Sequence, residues 1–179
     1  MNFVFIIQMS KQFVDRESYM HKCAKEVLKK WFDDSKSKNA GYKGIGDIVF
    51  RPNRDSGVWL EYPILDFGNG ISSLSQNWDE IVSPEYAGGI SEFVPTYKQC
   101  VERYKIAPIA IIDIVCTHKG APSYGIEICH KNAVSEEKIQ KIIDLNEQRN
   151  FGFKLIEINA SWILSQIEPP SKLEYKRLM

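Results

Sequence analysis

The sequence predicts an α/β domain in which a central mixed sheet is flanked by helices. Two apolar, β-rich runs at 108–117 and 124–130 are separated by a short turn, which is typical of a hairpin. An amphipathic helix pattern follows from Ser135, and a last apolar run occupies 154–158. A hairpin followed by a helix and a returning strand indicates an α/β arrangement in which acids from neighbouring strands converge at one edge of the sheet.

Length and composition favour one globular domain that spans residues 1–179, with 44% apolar and 12% aromatic residues. Lysine and arginine balance the acids at 23 each, so the net charge gives no argument for a nucleic-acid partner. The distribution is uneven: residues 11–43 carry nine bases against five acids, residues 44–95 two against eight, and residues 96–179 twelve against ten. An acidic middle with basic flanks suits a cation-binding cleft or an ordinary solvated surface.

The cysteines and the first residues bear on cellular location. The four cysteines have no framework spacing and no secretory leader is visible, so a cytoplasmic or otherwise intracellular setting is expected. These cysteines are Cys23, Cys100, Cys116 and Cys129. The apolar run 3–7 is too short to cross a membrane. We interpret residues 1–10 as an extension, with Met1 or Met9 as the true start.

The first helix is predicted from Asp15 to Phe32, with Asp15 as its N-cap and a polar loop at 33–44 after it. Apolar residues recur at helical spacing along it: Met20, Ala24, Val27, Leu28 and Trp31. Glu17 and His21 lie one turn apart near the edge of this stripe. They are interpreted either as a polar helix end or as side chains that face a site shared with the strands.

A second hairpin is predicted from the runs 46–51 and 58–65, with its turn at 53–57. It also carries paired acids, Asp47 and Glu61, with the separation of fourteen residues that Asp113 and Glu127 have in the first hairpin. We therefore expect two acid-bearing hairpins.

The remaining segments are assigned from turn residues and periodicity. Residues 66–90 are rich in Gly, Ser and Asn and predict an irregular insertion or lid. A helix is expected at 91–105, started or broken by Pro95. The helix after the hairpin is expected to end at Gly152, and residues 166–179 are expected to form a loosely held polar tail.

Each strand of the 108–130 hairpin carries one acid between two isoleucines, Asp113 in the first strand and Glu127 in the second. Each acid is expected to point away from the face of its neighbours. A turn centred on Gly120 places the acids opposite each other, where two carboxylates about 4 Å apart repel by roughly 4 kcal/mol at an effective dielectric near 20. A divalent cation or a shared proton is expected to relieve this repulsion.

Basic residues follow both acids at one end of the hairpin: His118, Lys119, His130 and Lys131. Two carboxylates beside such groups can hold Mg²⁺, orient a water and stabilise the charge of phosphodiester cleavage. A lysine there can polarise the water or the phosphate, and a histidine can shuttle a proton. The alternative is that these are ordinary basic residues at strand ends.

Two stretches resemble a known family of nucleases. GIEICHKNAVSEEKIQKI followed by KLIEINASWIL is similar to the C-terminal half of CoiA-like nucleases in the PD-(D/E)xK, restriction-endonuclease-like superfamily. ESYMHKCAKEVLKKW resembles the first helix of that family, so the resemblance covers this helix and residues 108–164. It implies a restriction-endonuclease-like core that hydrolyses DNA with Mg²⁺ or Mn²⁺.

The resemblance also implies roles for individual residues. Asp113 and Glu127 would be the metal-binding acids, with Glu17 as a third acid on the helix. The family pattern has a lysine two residues after the glutamate, where this chain has Cys129. The residues expected to replace that lysine are His130 and Lys131.

Three alternatives stay open. Asp47 and Glu61 are a second candidate pair of catalytic acids, with Pro63 at the lysine position. A zinc site would use histidine and cysteine ligands, drawn from His21, Cys23, Cys116, His118, Cys129 and His130. The third alternative is a catalytically inactive nucleic-acid-binding or protein-interaction module on the same fold, which the missing lysine favours. DNA is the expected partner, and no association with a membrane is expected.

Overall fold

The computed structural model describes residues 16–35, 43–50, 57–75, 97–118 and 121–179. The helices of this part are α1 (Arg16–Asp34), α2 (Tyr97–Tyr104), α3 (Glu136–Arg149) and α4 (Ala160–Ser165). The strands are β1 (Lys43–Ile45), β2 (Ile48–Phe50), β3 (Val58–Ile64), β4 (Asp66–Gly68), β5 (Ile71–Ser72), β6 (Ala110–His118), β7 (Ala121–Cys129), β8 (Lys154–Asn159) and β9 (Lys176–Arg177).

A five-stranded mixed sheet in the order β3-β6-β7-β8-β9 forms the centre of the fold. Strands β7 and β8 are parallel, and every other neighbouring pair in this sheet is antiparallel. A parallel pair needs a crossover connection, and α3 is the helix within it. The predicted α/β class, with a mixed sheet flanked by helices, is therefore confirmed.

Helices cover both faces of this sheet because each face is apolar. On one face, α1 and α4 bury Leu28 and Ile163 against strand residues such as Ile126. On the other face, α3 buries Ile142 and Leu145 against a second cluster. The apolar stripe predicted for α1 is buried as expected, with Ala24 and Leu28 fully inaccessible to solvent.

The boundaries of α3 follow ordinary capping chemistry. The side chain of Ser135 accepts a hydrogen bond from the backbone N–H of Lys138 at 3.3 Å, and Glu136 and Glu137 occupy the first turn. The helix ends at Arg149 because Asn150 takes a left-handed conformation with φ of 52°. The helix was predicted to end at Gly152, and this prediction was wrong. Asn150 ends it earlier because Asn, like Gly, can adopt the left-handed backbone angles.

The second predicted hairpin is wrong. Strand β2 pairs with β1 through the two-residue turn at Gly46 and Asp47, which brings Ile45 opposite Ile48. Strand β3 pairs instead with β6 in the central sheet. A two-residue turn with Gly at φ of 62° closes a hairpin locally, whereas β3 is apolar enough to be buried between layers.

Two segments expected to be irregular are ordered by pairing. The stretch 66–90 begins with the small β4–β5 hairpin, and residues 76–90 lie outside the described part. The tail is docked rather than loose, because Leu173 is buried and β9 pairs with β8. The backbone N–H of Leu178 also donates to the carbonyl of Leu155 at 2.9 Å. Burial of the apolar side chains of the tail stabilises this docking, despite the polar composition of the segment.

Other predictions fall partly outside the described residues. The extension at 1–10 and the N-cap Asp15 lie there, as do residues 91–96 of the helix expected at 91–105. The rest of that helix is present as α2, which begins two residues after Pro95. In the described ranges, none of the helices combines the length and the apolar character needed to cross a membrane.

Candidate functional site

The central sheet divides where Asp113 and Glu127, the two acids of the β6–β7 hairpin, lie. The antiparallel ladder of β6 and β7 includes the pair Ile114–Ile126 and does not continue to Asp113 and Glu127, one residue further on each strand. Beyond this level, β6 pairs only with β3, and β7 pairs only with β8. We call the level that carries Glu61, Asp113 and Glu127 the fork. The predicted register holds for the pairs from Ile114–Ile126 to Cys116–Tyr124, but the ladder shifts by one residue before the turn. The acids flank an opening rather than face each other in a ladder.

The two strands on one side of the fork change face at the acids. Ile112 packs in the cluster below α3, whereas Ile114 packs in the cluster below α1, although a regular strand would place both on one face. In β3, Leu60 and Tyr62 differ in the same way, and the residue between them, Glu61, has φ of 52°. A non-glycine residue at the fork therefore takes the strained left-handed backbone conformation.

Asp113 is buried and is fixed by three groups. Its Oδ2 accepts a hydrogen bond from the backbone N–H of Ile128 at 2.8 Å and lies 2.9 Å from Nε2 of His21. Its Oδ1 lies 3.5 Å from Nζ of Lys25. The N–H of Ile128 would lack a partner where the strands separate, so the carboxylate replaces a ladder carbonyl. The prediction that Asp113 points away from both flanking isoleucines was wrong, because the strand changes face at this residue.

Glu127 is buried on the α3 side of the sheet, opposite the face of Ile126 and Ile128, as predicted. Its Oε1 lies 2.7 Å from Nζ of Lys138, outside the angular range of a hydrogen bond, so charge rather than a directional bond satisfies it. Burial raises the pKa of Glu127 to about 7; Lys138 opposes this rise, and the negative charge of Asp113 adds to it.

Lys25 joins the acids on the other side of the fork. Its ammonium contacts the carboxylate of Glu61 as well as Asp113, and its side chain is 12% exposed. Burial acts to lower the pKa of Lys25, but hydrogen bonding to Glu61 and the charges of both carboxylates raise it above its ordinary value. Lys25 and Lys138 thus place positive charge beside the two acids, and His21 contacts Asp113.

Two other predicted catalytic residues follow strand β7 in the chain. His130 follows the end of β7, with Nδ1 3.5 Å from Oγ of Ser161, and Lys131 follows it in the loop before α3. Glu17 belongs to the first turn of α1, but its side chain lies outside the described part. At the position of the family lysine, burial and the nearby Glu157 raise the pKa of the Cys129 thiol, so this residue brings no charge.

The alternative acid pair is separated by the fold. Asp47 lies in the β1–β2 turn, where its Oδ2 accepts a hydrogen bond from the hydroxyl of Tyr175 at 2.7 Å. Glu61 lies in the central sheet at the fork. The zinc alternative also lacks a cluster: across the described ranges, no three His, Cys, Asp or Glu side chains are grouped so that they could hold a metal ion. Cys116 is buried in the core.

The sequence interpretation missed three charged residues near the acids. Lys25 is one turn after His21, which continues the spacing of four that relates Glu17 to His21. Lys138 is the third residue of α3. Glu157 lies between two isoleucines like Glu127 and is its direct partner in the β7–β8 ladder. Helical spacing and the repeated Ile-Glu-Ile pattern were the available signals.

Comparison of the chain with family models, with curated proteins and with solved structures found no match.

Proposed function

We infer that this protein is a metal-dependent nuclease that hydrolyses phosphodiester bonds in DNA at the fork. The observation that carries this inference is the position of Asp113 and Glu127 on two strands that separate between them, with a lysine ammonium beside each carboxylate. The element order also supports it, since α1, β3, β6, β7, α3 and β8 build a central mixed sheet flanked by helices. This is the kind of core that the resemblance to CoiA-like nucleases implies.

Two carboxylates are the donor chemistry that suits Mg²⁺ or Mn²⁺, and within the described ranges no third His, Cys, Asp or Glu side chain joins them in a metal-holding group. Both ions prefer oxygen ligands, and Mg²⁺ is commonly held by one or two carboxylates together with water and substrate phosphate oxygens. Asp113 and Glu127 would be these carboxylates, and Oε1 of Glu127 is not engaged in a directional hydrogen bond. When bound, the ion would stabilise negative charge on the phosphate and lower the pKa of a bound water.

The charged side chains around the fork supply positive charge near the phosphate and a group that can hold a proton. Cys129 of β7, at the position of the lysine in the CoiA-like pattern, carries no positive charge. Lys138 of α3 places a positive charge at Glu127 instead. Lys25 and His21 hold the carboxylate of Asp113 from α1. Fixed ammonium groups in a partly buried site stabilise charge that develops on a phosphate, and a histidine in reach of a carboxylate can hold a proton.

A cleavage assay tests the proposal directly. Plasmid and single-stranded DNA are incubated with the protein and Mg²⁺ or Mn²⁺, and Asp113→Asn and Glu127→Gln are compared with wild type. Glu137→Gln is the matched control, because this exposed glutamate of α3 pairs only with Lys141 in a surface contact. Loss of cutting in the first two variants, with the control active, is the expected result. Cutting that persists in both site variants would rule out this assignment.

An inactive DNA-binding module is the second candidate. It is favoured by the ammonium groups of Lys25 and Lys138, which already lie beside the fork carboxylates, and by Cys129 at the position where the CoiA-like pattern has a lysine. This candidate predicts salt-dependent DNA binding without metal-dependent cutting. The same assay, combined with a binding titration, therefore separates the two.

A further inference from the structure

A cleft of about 330 Å³ opens beside the fork, at the ends of β7 and β8. Its lining includes Glu157, which is the ladder partner of Glu127, and Cys129, which lies two residues after Glu127 in β7. Neighbouring strands are about 4.8 Å apart and alternate residues of a strand about 7 Å apart. The cleft is thus within one nucleotide of the proposed position of the scissile phosphate.

Two aromatic side chains line this cleft, Trp162 of α4 and Tyr175 before β9. Both side chains are half-buried and pack against the apolar cluster below α1. The backbone N–H of Trp162 donates to Oδ1 of Asn159 at 3.2 Å, and the hydroxyl of Tyr175 donates to Asp47 at 2.7 Å. Ordered aromatic rings of this kind provide flat surfaces on which a planar ring can stack.

The charged groups of the cleft select against phosphate in its interior. Glu157 is buried, and its Oε2 accepts the backbone N–H of Val134 at 2.8 Å, while Glu174 is an exposed lining residue. Two carboxylates repel a phosphate but accept N–H groups from a neutral ring. Lys176 is exposed at the same cleft and suits a neighbouring phosphate. Aromatic faces with carboxylate acceptors fit a nucleobase whose edge is not already paired.

We propose that this cleft binds one unpaired base of a nucleic-acid strand whose adjacent phosphate lies at the fork. The proposal rests on the proposed function, and it specifies the substrate class as single-stranded DNA or DNA with a locally unpaired nucleotide. An unpaired base exposes its ring face and the N–H groups of its Watson–Crick edge, which stacking and pairing cover in a duplex.

Binding measured without cutting tests the proposal. Fluorescence anisotropy in EDTA compares a labelled single-stranded oligonucleotide with an oligonucleotide of the same length that lacks bases. Wild type is expected to bind the base-containing strand more tightly, and Trp162→Leu or Tyr175→Leu to lower that preference about tenfold. Tyr97→Leu is the matched control, because Tyr97 is exposed on α2 and does not line the cleft. Thermal melting confirms that each variant is folded, and Tyr175→Leu serves if Trp162→Leu does not fold.

Each outcome of this experiment either supports or overturns the cleft proposal. A preference for bases that is unchanged in the folded cleft variants overturns the cleft assignment, and metal-dependent cutting by the same wild-type sample would leave the proposed function intact. A nucleoside monophosphate that competes as well as the oligonucleotide would identify a free nucleotide as the ligand and overturn the assignment to a strand. Failure to bind either oligonucleotide overturns the cleft proposal and the DNA partner together.

Discussion

The carboxylate of Asp113 accepts a hydrogen bond from the backbone N–H of Ile128 at 2.8 Å, at the level where β6 and β7 separate. A buried N–H without a partner destabilises a fold. In a regular sheet a carbonyl of the neighbouring strand accepts this hydrogen bond, and here the carboxylate of Asp113 accepts it. The acid proposed as a metal ligand is therefore also part of the backbone hydrogen bonding of the sheet.

This double role predicts different effects for two substitutions. Asp113→Asn keeps an oxygen that can accept the N–H of Ile128, whereas Asp113→Ala leaves that N–H unpaired and removes one of the two carboxyl groups that Lys25 contacts. We expect Asp113→Ala to lower the free energy of unfolding by about 2 kcal/mol more than Asp113→Asn does. Urea denaturation of both variants measures this difference. Equal stability would contradict the role assigned to the bond.

Glu127 predicts a dependence of stability on pH. Its pKa rises from 4.5 to about 7 on folding because burial disfavours the charged form. Below pH 4.5 the group is neutral in both states, so its contribution to stability is fully present; it is lost as the pH rises to 7. The expected loss is on the order of 3 kcal/mol. Thermal melting in EDTA from pH 5 to pH 8 should show a decline in wild type that is smaller in Glu127→Gln.

Lys138 predicts a shift in the pH dependence of cutting. Its ammonium favours the ionised form of Glu127, so Lys138→Met should raise the pKa of this acid further. Because the proposed metal site needs ionised Glu127, the acid limb of the pH–rate profile should move upward by about one pH unit. Lys141→Met, one turn later and paired only with exposed Glu137, should leave the profile in place. If the acid limb of the Lys138→Met profile does not move, Lys138 does not control the ionisation of Glu127 in the proposed site.

The strained backbone at Glu61 predicts an advantage for glycine. Both Glu61→Gly and Glu61→Ala lose the contact with Lys25, but only glycine adopts φ of 52° without cost. We expect Glu61→Gly to be more stable than Glu61→Ala by about 1 kcal/mol. Chemical denaturation of the two variants gives the comparison. A more stable alanine variant would indicate that this residue is not left-handed in solution.

Gly125 predicts a steric limit next to the fork. A Cβ at this position would lie 2.5 Å from Cζ of Phe153 and 2.9 Å from Cδ1 of Leu155, both of which are buried. Gly125→Ala should therefore destabilise the protein by about 1–3 kcal/mol, with a lower melting temperature. Gly57→Ala is the matched control, because its Cβ would meet Trp59 at an ordinary 3.5 Å. Equal melting temperatures of the two variants would contradict the packing.

The amino-acid sequence is sufficient to predict α1, the β6–β7 hairpin, α3 and β8. Each of these elements carries its own periodicity or capping residues, as with Ser135, so residues close in the sequence decide it. The position of Glu127 opposite the face of its neighbours was predictable for the same reason, since strand alternation is a local property.

The partner of β3, the docking of β9 and the charges at the fork depend on the tertiary structure. His21 meets Asp113 across 92 positions of the chain, and Lys25 meets Glu61 across 36. No local pattern specifies such contacts, because they form only when α1 packs on the sheet. The level at which β6 and β7 stop pairing, and the contacts of Lys25 and Lys138 with the two acids there, likewise join residues of separate elements and so depend on how these elements pack.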